Sequence, residues 1–242
     1  MKEVNPMNPE TVRKLNAINR RFYEVTADEF DQTRGQSWPG WDALLPYVPK
    51  PVSVLDLGCG NGRFGRFLAD HWGADALEYH GVDSNATLLN YAQAALSDVD
   101  RLRLEQRDLV EDPLTDGQYG LVVIFGVMHH IPGTAQRRQW LQSMAQRVAA
   151  GGILAFACWR FYEYERFRKR LSPFPADITP EKNDYLLDWR RGEHALRYCH
   201  YVDDAEHADM IAATGFETLS TYRADGFSGA VNQYSILRRP VG

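Results

Sequence analysis

The segment Asp56-Leu57-Gly58-Cys59-Gly60-Asn61-Gly62 follows a short apolar run, Val52 to Leu57, with a carboxylate and three glycines. Glycines placed just after a strand let the backbone approach a ligand without Cβ clashes. In an open α/β sheet such a loop lies at the carboxyl ends of the strands, where ligands bind. Two kinds of cofactor compete for it. Gly60-Asn61-Gly62-Arg63-Phe64-Gly65 matches the dinucleotide fingerprint, and Asp83 follows at about the distance of a ribose-binding acid. The register opposes that reading. The strand ends at Leu57, so the tight turn uses Gly58-Cys59-Gly60, and the third fingerprint glycine would then fall at Arg63. Asp56, in the last turn of the strand, fits poorly beside a pyrophosphate and well beside a cation that carries an amino group. S-adenosyl-L-methionine is such a cation, and without phosphates it needs no anion-binding helix terminus.

The elements that must position this loop are legible as strands alternating with helices. Val12, Leu15, Ile18, Phe22 and Val25 recur three or four apart, which predicts a helix from about Pro9 to Val25. Thr26-Ala27-Asp28-Glu29 has the spacing of a capping box and predicts the start of a second short helix. Another short helix is expected over Trp41 to Tyr47. Strands then follow at Val52–Leu57, Leu77–Val82, around Leu102 and Leu104, at Leu121–Val127 and at Gly152–Trp159. Helices separate them: Arg63 to Trp72, one capped by Ser84, and one carrying Trp140, Leu141, Met144 and Val148 with Gly151 as its stop. This alternation implies right-handed crossovers and a doubly wound, mostly parallel α/β sheet. The chain end departs from it: a helix capped by Asp203 and ending at Gly215, then strands Phe216–Arg223 and Asn232–Arg239 joined by a link short enough for an antiparallel hairpin. Residues 160–202 are too long for a plain connection, and their aromatics predict an ordered lid. The expected organisation is therefore a helical cap at 1–50, a cofactor-binding core at 51–159, a lid insertion at 160–202, and a C-terminal helix and hairpin at 203–242 completing a seven-stranded sheet.

Composition bounds the rest. The 242 residues suit one sizeable domain. No apolar run reaches the roughly 20 residues that span a bilayer, and the polar start lacks the apolar core of a secretory signal. Three scattered cysteines argue against a disulfide framework or a cysteine zinc site. The expected location is cytoplasmic, with no membrane partner. A net charge of −5 opposes a field-driven grip on nucleic acid. Local arginine runs (Arg137-Arg138, Arg166 to Arg170, Arg190-Arg191, Arg238-Arg239) could still form a basic face or be ordinary solvated side chains. His194, His200 and His207 lack the spacing of a metal site, so no metal is expected.

Val54-Leu55-Asp56-Leu57-Gly58-Cys59-Gly60-Asn61-Gly62 resembles the first motif of class I S-adenosylmethionine methyltransferases. The resemblance continues in order. It implies that Asp83, followed by Ser84, holds the ribose hydroxyls, that Asp108-Leu109 meets the adenine, and that Phe125-Gly126 lines the methionine portion; Tyr23 is a further cofactor candidate. Phe30 to Pro39, with Thr33-Arg34 and Trp38-Pro39, resembles a segment of the tRNA wobble-uridine methyltransferases, which esterify a 5-carboxymethyl group. Val127-Met128-His129-His130-Ile131 with Arg137-Arg138 is similar to that family's I-H-H and R-R pattern. Arg197-Tyr198-Cys199-His200 resembles its R-Y-Y-H with cysteine for the second tyrosine, and Trp189 stands where the family has a P-W pair, with Asp188 for the proline. The resemblance implies a tRNA acceptor and a small zinc-binding activating partner subunit. The alternative is a small-molecule acceptor offering a carboxylate, hydroxyl or amine beneath the lid.

A carboxylate is ionised at neutral pH, so its methylation needs alignment and exclusion of water rather than a general base. Arginine can hold it by a planar fork, which makes Arg34 and Arg197 the clamp candidates. Trp38 or Tyr198 could stack on a base, with His130, Trp189 and His200 as further substrate contacts. His129 or His130 would contact substrate, serve as base for a protonated nucleophile, or simply bond to backbone.

Overall fold

The computed structural model describes residues 6–189 and 195–241. Seven strands form the central sheet: β1 (Val52–Leu57), β2 (Leu77–Asp83), β3 (Arg101–Gln106), β4 (Tyr119–Phe125), β5 (Val148–Trp159), and, after a second small sheet, β9 (Glu217–Ala224) and β10 (Asn232–Arg238). Their order is β3-β2-β1-β4-β5-β10-β9. The first five pair in parallel, and β10 is antiparallel to both β5 and β9. The strand order reverses between β1 and β4, so a crevice opens where the glycine loop leaves β1, as expected for this architecture.

Both faces of the sheet are covered, which is why β4 reads as an unbroken apolar run. Val54, Leu121 and Val123 pack on one face with Phe64, Phe67 and Leu68 of α2 (Arg63–Trp72) and with Trp41 and Leu44 of a 3-10 segment, Pro39–Tyr47. Leu55, Val122 and Ile124 pack on the other with Trp140, Leu141 and Met144 of α4 (Thr134–Ala145) and Met210 of α6 (Asp204–Thr214). Each fully buried Leu, Ile or Val contributes about 1.5–3 kcal/mol, so these two layers hold the crevice walls rigid. Helix α3 (Ala86–Ala95) follows β2 and packs beside α2.

Several boundaries differ from the sequence reading, each for a local reason. The N-terminal helix α1 runs unbroken from Pro9 to Thr33. Thr26 caps nothing; its hydroxyl donates back to the Phe22 carbonyl within the helix. Asn85, not Ser84, caps α3, its side chain accepting from the Leu88 N–H. The fourth strand ends at Phe125, because Gly126 turns the chain with φ 78°. Val148 already belongs to β5, and Gly151, with φ 73°, bends that strand rather than ending a helix.

Residues 160–202 contain a short helix α5 (Glu165–Arg168) and an antiparallel sheet of β6 (Leu171–Ser172), β7 (Asp184–Trp189) and β8 (Ala195–His200). This sheet packs on α1 through Leu15, Leu186 and Tyr198. Arg190, Arg191 and His194 lie outside the described residues. Among the described residues no helix is long and apolar enough to cross a membrane.

Candidate active site

A cavity of about 610 Å³ opens at the crevice, walled by the ends of β1, β2, β4 and β5, by α1, and by β7 and β8. That volume is within the range of sites that enclose a nucleotide-sized ligand. The glycine loop forms its floor. A Cβ on Gly58 would collide with Val127, and the backbone there holds φ 75°, so only glycine lets the chain pass this close. The Gly60 N–H donates to Asp83 Oδ2 at 2.9 Å, which ties the loop to the end of β2.

Three carboxylates line this floor. Asp56 is 2% exposed and accepts a 2.5 Å hydrogen bond from the Tyr79 hydroxyl. Burial pushes its pKa up to about 7, against the stabilising effect of that hydrogen bond. Asp83 is likewise raised by burial, opposed by the backbone N–H groups of Asn85 and Gly60. Asp108 accepts from the Val110 N–H and from Asn16 Nδ2 of α1 at 2.8 Å. Leu109, Ser84, Cys59, Asn61, Phe125, Gly126 and Tyr23 share the lining. Gly62 sits behind the loop as the N-cap of α2, where a Cβ would press on Ala92. The cradle fits S-adenosylmethionine: separate acids are spaced along one wall, an apolar slot lies by Leu109, and glycine occurs where the backbone must yield.

The opposite wall carries the histidines and Arg197. His130 donates from Nδ1 to the Tyr198 carbonyl and accepts at Nε2 from the Tyr23 hydroxyl, both at 3.0 Å, which assigns its tautomer because a carbonyl can only accept. Burial, then the Arg197 charge, pushes its pKa down to about 3. His129, 5% exposed, is pushed well below the usual imidazole range, chiefly by burial, and its Nδ1 has no hydrogen-bond partner among the described residues. Both rings are therefore neutral at pH 7. Nitrogen and sulfur donors of His129, His130 and Cys199 lie within 4.8 Å of one another. Both nitrogens of His130 are engaged in hydrogen bonds, and the Arg197 charge acts on both rings.

Arg197 lies over the rings of Phe22 and Trp159, 5.1 and 4.8 Å from their centroids. Among the described residues it has no carboxylate partner within ion-pair distance. Arg34 stacks on Phe30 at 4.0 Å, and its charge acts on Arg63, whose pKa falls to about 10 chiefly through burial. Trp38 and Trp189 line the cavity, and Trp189 donates to Glu29 of α1.

Two candidates lie elsewhere. Tyr198 is fully buried, its hydroxyl donating to Asp184. His200 is held between Asp184 and Glu206, each at 2.7 Å. The alternation of β8 explains both: Arg197 and Cys199 face the cavity side, while Tyr198 and His200 face the packed interior. Arg137 is fully buried and paired with Glu206 rather than part of a basic face. Conversely, the sequence reading passed over Asn16, Arg63, Trp159 and Asn232, all of which line the cavity. A signal existed for Asn16 and Asn19, which are polar residues on the otherwise apolar stripe of α1.

Residues 55–154 match the family model described as a methyltransferase domain. The chain carries an S-adenosylmethionine-dependent methyltransferase domain. A candidate methyltransferase of Encephalitozoon cuniculi is 28% identical over 200 residues, covering 82% of this chain and 87% of that one. The tRNA carboxymethyluridine methyltransferase of Macaca fascicularis is 25% identical over 178 residues, covering 70% of this chain; the chain spans 24% of that relative's length. The crystal structure of an S-adenosylmethionine-dependent methyltransferase from Methanosarcina mazei superposes with a TM-score of 0.66 at 16% identity, covering 86% of this chain and all of that one, and shares the fold. The methyl donor of this domain is S-adenosylmethionine, which the glycine loop and the acids Asp56, Asp83 and Asp108 fit.

Proposed function

We propose that the enzyme methylates a carboxylate oxygen, and that the acceptor is the 5-carboxymethyl group of a wobble uridine in tRNA. Arg197 carries this reading: it is a guanidinium in the cavity wall, held by two rings and without a carboxylate partner among the described residues. Such a fork is complementary to a substrate carboxylate. When bound, the cofactor supplies an electrophilic methyl group on a sulfonium. The chain's own residues orient the acceptor oxygen through Arg197, exclude water with Trp159, Phe22 and Trp189, and need remove no proton. The neutral imidazoles of His129 and His130 suit that role, since they add no charge to compete with Arg197 for the carboxylate. Arg34, the other clamp candidate from the sequence, lies over Phe30 near the glycine loop and acts on Arg63, and we assign it with Arg63 to the cofactor side of the cavity.

Loss of a charge-assisted contact costs about 1.5–3 kcal/mol, so Arg197→Ala is expected to lower turnover on carboxymethyluridine tRNA by about ten- to a hundredfold. Cofactor affinity by calorimetry stays near wild type. Unchanged turnover in that variant overturns the clamp. The aromatic lining by Trp38, Trp159 and Trp189 favours a second reading, a small-molecule acceptor. Methylation of a free carboxylic acid or phenol, with none of tRNA, decides for it.

A further inference from the structure

We infer that the mouth of the cavity holds a second anion site, formed by Arg166 and Arg170, which receives a phosphate ester of the acceptor. This rests on the reading of Arg197 as the carboxylate anchor. The run Arg166-Phe167-Arg168-Lys169-Arg170 is not a uniform charged face. Arg168 donates to the Tyr162 carbonyl at 2.6 Å, and Lys169 pairs with Glu165 at 2.8 Å. Arg166, in α5, and Arg170, in the turn that follows it, are the two cations of this run that line the cavity. Among the described residues neither has a carboxylate within ion-pair distance. The neighbouring acid Glu163 is engaged with Arg160 and Arg223.

Arg166 is also held in place. Its guanidinium lies over Phe167 at 5.1 Å and over Phe227 at 4.5 Å, and Phe227 is 58% exposed at the tip of the β9–β10 link. Stacking on two rings fixes the plane of the fork and leaves its N–H edge for an anion. Phe167 in turn meets Trp159 edge-on at 4.9 Å, and Trp159 carries Arg197. The two cationic points thus stand at opposite ends of one aromatic wall, Arg197 inside and Arg166 at the mouth. A flat acceptor that is anionic at both ends matches this wall. A neutral or singly charged one leaves Arg166 and Arg170 unsatisfied.

The test measures binding to the full chain loaded with S-adenosylhomocysteine, using three probes: 5-carboxymethyluridine, its 5′-monophosphate, and a short single-stranded RNA containing it. The phosphate-bearing probes are expected to bind about tenfold or more tightly than the nucleoside. That increment vanishes in the double variant Arg166→Gln/Arg170→Gln. An increment seen with the monophosphate identifies a small phosphate ester; one seen only with RNA identifies a backbone phosphodiester. Equal affinities for all three, no binding of either phosphate probe, or an increment that survives the double substitution overturns the site. Arg197→Gln separates the two ideas. If it weakens all three probes and the increment persists, both hold; if it weakens none while the increment persists, the carboxylate anchor fails and the phosphate site stands.

Discussion

Asp56 is a carboxyl whose surroundings oppose its charge. A carboxyl with a pKa of about 7 in the folded chain and an ordinary one in the unfolded chain retains its proton through the acid range. Its contribution to stability therefore declines as pH rises from about 4 toward 7. A cationic cofactor reverses the preference, because a positive charge nearby favours the carboxylate. Cofactor affinity is expected to weaken as pH falls below about 7, and calorimetry across that range checks it. Asp56→Asn should flatten the profile at a lower affinity, whereas an unchanged profile would remove Asp56 from the cofactor site. The acid itself was legible in the sequence from its place at the end of a strand. Its burial and its bond to Tyr79 were not, because Tyr79 sits on the neighbouring strand, 23 residues away.

At the scale of the element, β8 is a strand with two kinds of residue. Arg197 and Cys199 face the cavity side; Tyr198 and His200 join a buried network with Asp184, Glu206 and Arg137. Tyr198→Phe removes one buried hydrogen bond and is expected to lower stability by about 1–3 kcal/mol, measured by denaturant unfolding, with turnover near wild type. Arg197→Ala should do the reverse. Equal loss of turnover in both variants would return Tyr198 to the site. The word Arg-Tyr-Cys-His drew attention to this strand in the sequence, but only the packing of the small sheet against α1 decides which alternate residues face the ligand. Local competition explains the shifted boundaries too: Thr26 bonds back within its helix, and Asn85 takes the cap expected of Ser84. The parallel core and the glycine loop were legible because strand, turn and crossover signals there agree.

At the scale of the molecule, the cavity is shared between the sheet and the segments that cover it. The net charge of −5 says nothing of the arginines along its wall, since a sum over the whole chain carries no positions. Placement of Arg63, Trp159 and Asn232 around one space depends on β5 lying beside β10 and on α1 crossing the loop, which no local pattern reveals.

Helix α1 is stitched to the cavity wall at several separated points, among them Asn16 to Asp108, Tyr23 to His130, and Asp31 to Asn61. These points lie along residues expected to hold the cofactor, and the spent cofactor is expected to exchange when several of these bonds open together. Concerted opening of this kind is slow relative to local side-chain motion, and in many enzymes such a step limits turnover. Rapid-quench measurements should then show a burst of about one methyl group per chain followed by a slower steady rate. Asp31→Ala, which cuts one stitch, should raise the steady rate more than the burst. A linear time course from the first turnover would mean that the helix does not time the cycle.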